Sequence, residues 1–176
     1  MKTLHIWYDD SPESPNDWGI WRLSSFNFRH RNFIHPEGLI TREGEGASLG
    51  IRRKLKVGTA FVLSYYEHGG SVWSLMGEGP QCRFDSVRVA GYLEYLEPKY
   101  LPRGYAAREA LAHNFLKVYN KWANGQVFCL AVEDEDGTDE LGEVYNLERE
   151  LEDLVGPDWR TSLAPGNALA RQLLEG

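Results

Sequence analysis

Hydrophobic and polar positions change period several times along the 176-residue chain, and each change predicts an element. Residues 3–8 place Leu4, Ile6 and Tyr8 on one side and His5 and Trp7 on the other, a period of two that predicts a strand. Prolines, serines and four carboxylates then crowd residues 9–17, which is turn chemistry. In residues 18–33, Trp18, Trp21, Phe26, Phe28 and Phe33 are interleaved with Arg22, Arg29, His30 and Arg31. That run reads either as a strand whose aromatics enter the core or as a stacking surface for bases with cations for phosphates. Residues 35–56, interrupted by Pro36, Gly38, Gly44, Gly46 and Gly50, read as a surface excursion. They end in Arg52, Arg53, Lys54 and Lys56, a solvated run or a basic patch.

Residues 59–67 and 71–76 are apolar, aromatic and β-branched on either side of His68-Gly69-Gly70, which predicts a β-hairpin. After Gly77-Glu78-Gly79-Pro80, residues 87–96 resume a strand pattern with Val87, Val89, Gly91, Leu93 and Tyr95 on one face, extending the hairpin to a three-stranded meander. Residues 105–124 form the clearest helix: Ala107, Leu111, Phe115, Val118 and Trp122 make one apolar stripe, and Asn124-Gly125 supplies the stop. A strand over 126–132, an acidic turn over 133–137 and a returning strand over 141–145 follow. Asn146 is placed to cap a second helix with Leu147, Leu151, Leu154 and Val155 on one face, ended by Gly156-Pro157. A short helix is read from about Asn167. These elements predict a single α+β domain over residues 1–176. Its mainly antiparallel sheet is built on the central hairpin and packed by one long amphipathic helix and a shorter acidic helix.

Composition adds limits. Charged residues at 26% and hydrophobic residues at 42% place the chain among globular proteins and exclude disorder as a class. The two cysteines, Cys82 and Cys129, form no C-x-x-C pair and suit a reducing compartment. Asp9, Asp10, Glu13 and Asp17 stand where a secretory signal would carry its apolar run, and no long apolar stretch predicts a membrane span; the expectation is a cytoplasmic protein with no membrane partner. Charge is unevenly spread. Residues 1–132 hold 16 Lys+Arg against 13 Asp+Glu, whereas residues 133–176 hold 3 against 13, a net of −10. Such a segment repels a phosphate backbone and attracts a basic surface, so direct nucleic-acid binding through that face is not expected.

The candidate chemistry falls in two groups. Asp9, Asp10, Glu13, His68 and Asp85 are the polar residues of one candidate pocket, in which the carboxylates would supply oxygen ligands to a hard cation or orient a small ligand. Cys82 with His68 offers a nucleophile and a base, oriented by Asp85 or Asp10, and Arg83 adjoins them. The ordinary reading is that His68 tips a turn and Asp85 bonds local backbone. The turn at Asp134 and Asp136 is no calcium loop, because Gly137 stands at the fourth loop position rather than the sixth. Gly77-Glu78-Gly79-Pro80 lacks the Lys and Ser/Thr of a phosphate loop, and neither zinc spacing nor a cofactor signature is present. The second group is Glu133, Asp134, Glu135, Asp136, Glu148, Glu150, Glu152 and Asp153. Held on a hairpin and a helix, these carboxylates form a candidate partner surface that imitates a run of phosphates.

Several short motifs carry a resemblance. Asp9-Asp10 with Glu13-Ser14-Pro15, Tyr65 to Gly69, Cys82-Arg83-Phe84-Asp85-Ser86 with Gly91, and Tyr119 to Gly125 with Val127 and the 133–137 turn resemble a family of small bacteriophage-encoded proteins over roughly residues 3–145. A typical member has Trp where Phe84 stands and a longer aromatic, Gly-rich segment after the acidic turn, so the C-terminal third departs from the pattern. The resemblance implies context rather than chemistry. It points to an accessory protein in the bacterial host cytoplasm that binds and inhibits a host protein, such as a nucleic-acid-handling defence complex of the restriction or CRISPR kind. The alternative is a small enzyme or nucleotide or small-ligand binder using the carboxylate and histidine pocket.

Overall fold

The computed structural model describes residues 2–167 together with Leu169 and Gln172; the short helix read from about Asn167 falls outside the described residues. The fold is α+β, and among the described residues its named strands form two antiparallel sheets. The chain makes two compact units, a larger one over Ser14–Asn124 and a smaller one that combines Met1–Glu13 with Gly125–Gly176.

In the larger unit the strands are β2 (Trp21–Ser25), β3 (Ala60–Glu67), β4 (Ser71–Leu75) and β5 (Ser86–Tyr95), ordered β2-β5-β3-β4. The predicted hairpin is β3–β4, with Tyr65 opposite Trp73 and Gly69 at φ 70° in the turn, a left-handed conformation that glycine adopts without a Cβ clash. The predicted meander is corrected. β5 pairs with the far edge of β3, not with β4. The cause is burial: Ala60 to Ser64 are buried on both faces, so β3 takes the centre and both neighbours flank it. The β3–β5 register slips between Leu63, opposite Gly91, and Tyr65, opposite Val87. Gly91 is required there, since a Cβ would sit 2.5 Å from the Ser24 carbonyl oxygen and 2.9 Å from the Trp73 ring.

One face of this sheet packs Trp21, Leu23, Phe61, Leu63, Trp73 and Leu93 against helix α2 (Tyr105–Ala123). The helix is where the periodicity placed it, but its buried face is Ala112, Phe115, Leu116 and Tyr119. Of the predicted stripe only Phe115 is fully buried, while Ala107 and Leu111 are exposed; Tyr119, outside that stripe, is wholly enclosed. The opposite face packs Ala60, Val62 and Tyr92 against Leu39, Ile40, Ile51 and Leu55. The last two lie on α1 (Leu49–Val57), so the expectation of an irregular excursion over 35–56 is corrected. Ser48 Oγ accepts from Ile51 N–H at 3.3 Å, and Gly58 closes the helix at φ 73°. Arg52, Arg53, Lys54 and Lys56 keep to solvent while Ile51 and Leu55, one turn apart, reach the sheet.

The smaller unit has strands β1 (Thr3–Tyr8), β6 (Phe128–Asp134) and β7 (Gly137–Val144) in the order β1-β6-β7. Leu4 and Ile6 stand opposite Val132 and Leu130, and all four enter a core with Val144, Leu147, Leu151 and Trp159. Helix α3 (Leu147–Val155) supplies two of these, each contributing roughly 1.5–3 kcal/mol by burial. Asn146 takes the cap position, as its place in the sequence predicts, although its side chain makes no capping bond. The return strand begins at Gly137, earlier than predicted, because Asp134 already pairs with Gly137 and leaves only Glu135 and Asp136 in the turn. Asp139 and Glu140 are thereby strand residues. No helix among the described residues is long and apolar enough to cross a membrane.

Candidate functional site

The hairpin turn at 68–70 and the start of β5 bring three predicted residues together in the larger unit. Glu67 N–H donates to the Asp85 carbonyl at 3.0 Å, and Asp85 Oδ2 lies 3.5 Å from His68 Nδ1. The same oxygen accepts from Cys82 Sγ at 3.3 Å. A tight local turn fixes the thiol: Cys82 N–H donates to Ser86 Oγ (2.8 Å), which donates to the Pro80 carbonyl (3.1 Å). Imidazole and thiol therefore lean on one carboxylate, and among the described residues no hydrogen bond joins His68 to Cys82. A thiol nucleophile needs a base on its own proton; here the carboxylate takes that place and the histidine side chain is 74% exposed. Arg83 is exposed and shares the wall of a cavity of about 230 Å³ with Cys82, Ser86 and Arg88.

Asp9, Asp10 and Glu13 belong to the smaller unit, and His68 and Asp85 to the larger, each set with its own local partners. Asp9 Oδ1 accepts from Ser11 N–H at 3.0 Å, and its own N–H donates to the Val127 carbonyl. Glu13 N–H donates to Glu143 Oε1 at 2.8 Å, while the Tyr145 hydroxyl reaches the Glu13 carbonyl at 3.4 Å. Burial, then the charges of Glu143, Asp9 and Glu13, pushes the Tyr145 phenol up to about 12. Burial, then Asp9, likewise raises the Cys129 thiol, with Asp10 adding to the effect. Glu143 has φ 54°, a left-handed conformation rare for a residue with a side chain. It sits where the β6–β7 register passes from Leu130 opposite Leu141 to Phe128 opposite Val144, an extra residue on β7. Glu143 and Tyr145 escape sequence reasoning because Glu13 and Glu143 are 130 positions apart. Among the described residues no group of three or more His, Cys, Asp or Glu side chains is placed to hold a metal ion.

The second predicted group lies on one hairpin and one helix of the smaller unit. Glu133 and Asp134 end β6, Glu135 and Asp136 make the turn, and every residue of β7 before Val144 is exposed. Asp136 N–H donates to Asp134 Oδ1 at 2.9 Å, which stiffens the turn. On α3, Glu148, Glu152 and Asp153 are exposed and Glu150 is half-buried. Among the described residues Arg149 lies 3.6 Å from Asp153 and Arg160 3.7 Å from Glu148, offsetting part of this charge, and His5 lies 3.6 Å from Glu133. All are at the surface, where ion pairs contribute little. Asp139, Glu140 and Glu143 extend the surface beyond the predicted set, a consequence of the early start of β7.

No family model, curated protein or solved structure matches the chain.

Proposed function

We propose that the protein is a non-enzymatic binding protein whose acidic unit occupies a basic surface of a host protein and blocks it, the target being one that handles nucleic acid, such as a defence complex. The observation that carries this reading is the β6–β7 hairpin. Glu133, Asp134, Glu135, Asp136, Asp139, Glu140 and Glu143 lie on it without a single Lys or Arg between Phe128 and Val144. From Gly137 to Glu143 the strand runs roughly 24 Å at about 3.4 Å per residue. Three carboxylates lie on that stretch and four more on the end of β6 and in the turn, so negative charge is densest at the tip of the hairpin. Carboxylates fixed on a strand need little ordering on binding, and their field steers a cationic partner. The bacteriophage context supplied by the motifs agrees with such a role.

The test is affinity capture from bacteria expressing the tagged chain, followed by competition. A nucleic-acid-handling complex should be retained, should be released by duplex DNA, and should be lost on the combined change Glu148→Gln, Glu150→Gln, Glu152→Gln, Asp153→Asn or on neutralising Glu133, Glu135, Asp139 and Glu140. Retention of every such partner by both neutralised forms defeats the reading.

A further inference from the structure

A cavity of about 560 Å³ in the larger unit takes Phe26, Arg29 and His30 from the aromatic and basic run and Glu67 from the strand that leads into the His68 turn. Its walls include Phe26, Arg29, His30, Tyr65, Glu67 and Trp73, and its size falls within the range of small-ligand sites. The construction is specific. Tyr65 and Trp73 face each other across β3 and β4 with ring centroids 4.7 Å apart, and His30 meets the Trp73 ring edge-on at 5.7 Å. The absent side chain of Gly91 lets the Trp73 ring lie against β5.

The loop after β2 forms the other wall and is held by its own hydrogen bonds. Ser25 Oγ accepts from Asn27 N–H (3.1 Å), Asn27 Oδ1 from Arg29 N–H (3.0 Å) and His30 Nδ1 from Asn32 N–H (3.1 Å). Ser25 and Asn32 are tied backbone to backbone at 2.9 Å, and the Asn32 side chain donates to the Tyr119 hydroxyl at 3.3 Å. A wall so fixed loses little freedom when a ligand enters. Because Nδ1 is an acceptor, the neutral His30 ring carries its proton on Nε2, as a donor. Burial, then Arg31, holds His30 below its ordinary value and so favours that neutral form. Arg29 is exposed and has no carboxylate partner among the described residues; its guanidinium lies 5.4 Å from the Phe28 centroid. Glu67, also exposed, contributes an acceptor-only carboxylate.

We propose that this cavity binds a free nucleotide, the planar base packing against Tyr65, which the buried Trp73 backs, the phosphate held by Arg29, and base N–H groups accepted by Glu67. Aromatic faces suit any base, and a guanidinium matches a phosphate with two parallel donors. The unit favours anions as a whole, with 15 Lys+Arg against 10 Asp+Glu. The inference rests on the larger unit alone, so it stands or falls independently of the acidic surface.

Titration calorimetry with guanosine monophosphate, guanosine and inorganic phosphate tests it, because guanine offers adjacent N–H donors to a carboxylate. The nucleotide should bind saturably and about tenfold more tightly than the nucleoside. Arg29→Gln should bring the nucleotide to the level of the nucleoside while leaving the nucleoside unchanged. Glu67→Gln should weaken both by about tenfold. Both substitutions are at exposed positions, and circular dichroism checks that the fold is kept. Absence of saturable binding at millimolar nucleotide, binding unmoved by either substitution, or binding of a single-stranded oligonucleotide without the mononucleotide overturns the proposal.

Discussion

The outer strands β4 and β7 leave their sheets' edges in opposite conditions. Along β4, Asn120 on α2 and Asn124, the residue that caps the helix one turn on, take the place of a neighbouring strand. Asn120 accepts from Trp73 N–H and donates to its carbonyl, both at 2.8 Å, and Asn124 does the same for Ser71 at 2.7 Å. Amide side chains carry the donor and acceptor of a peptide group, so each pair closes two backbone positions that would otherwise invite another strand. Along β7 no such arrangement is found among the described residues. The strand is exposed from Gly137 to Glu143 and is marked by three carboxylates and the irregularity at Glu143. Charge and the irregularity therefore discourage neutral strands there while leaving the surface open to a cationic partner. The units differ in the same sense: the larger carries a net +5, and the smaller holds 4 Lys+Arg against 16 Asp+Glu, a net −12. Polar residues serve internal closure in one and an outward field in the other.

The largest effects come from the cores beneath these two edges. Leu63, wholly buried under α2, and Leu151, wholly buried on α3, should each cost about 2–5 kcal/mol when cut to alanine. Hydrogen exchange resolves where the loss falls. Leu63→Ala should speed exchange of β3 and β5 amides, and Leu151→Ala that of β1 and β6. A loss spread evenly over both sheets from either substitution would show that the comparison of two separately packed units is mistaken.

A smaller effect addresses the closed edge. Asn120→Ala removes both partners of the Trp73 backbone groups, and leaving such groups unpaired costs about 1–3 kcal/mol in denaturant unfolding. With Asn124→Ala added, β4 becomes an open edge, and concentration-dependent self-association should appear in sedimentation. If the double variant associates no more than the parent and is as stable, the asparagines are not what closes β4.

How far these features are legible in the chain depends on the range of the interaction that makes them. The alternation of Leu4 and Ile6 and the Gly69 turn are local signals, and β1 and the β3–β4 hairpin lie where the pattern predicts. The α+β class follows from such elements. Helix α2 was legible as a helix but not in orientation, because two apolar stripes overlap on it and only the sheet selects the one containing Ala112, Leu116 and Tyr119. Helix α1 was obscured by its four cations and flanking glycines, although Ser48 was a usable cap signal. The position of β5 beside β3 is a long-range outcome with no local mark. At the sites, the contact of His68 and Cys82 with Asp85 arises from neighbouring turns and was foreseeable as an adjacency. The cavity was half visible: Phe26, Arg29 and His30 belong to the aromatic and basic run, whereas Trp21 of that run is core and the opposing Tyr65 and Trp73 come from the hairpin.

The finest distinction between the units is carried by one tyrosine in each. Tyr119 and Tyr145 are both raised from 10.0 to about 12, chiefly by burial. In each case the folded value exceeds the unfolded one, so the phenol adds stability that is complete below pH 10 and lost as pH rises toward 12. Their charged neighbours differ in sign. Glu143, Asp9 and Glu13 push Tyr145 further up, whereas Arg31 pulls Tyr119 down. Salt near 1 M shortens the screening length to about 3 Å and weakens both influences. Tyr145 should therefore titrate lower in high salt and Tyr119 slightly higher, each by a fraction of its total displacement because burial is not screened. Tyrosinate absorbance of the parent, corrected in turn by Tyr119→Phe and Tyr145→Phe, reads the two separately. Movement in the same direction would mean that the fields around these residues do not have the opposite signs that separate an acidic, outward-facing unit from one that folds its polar groups inward.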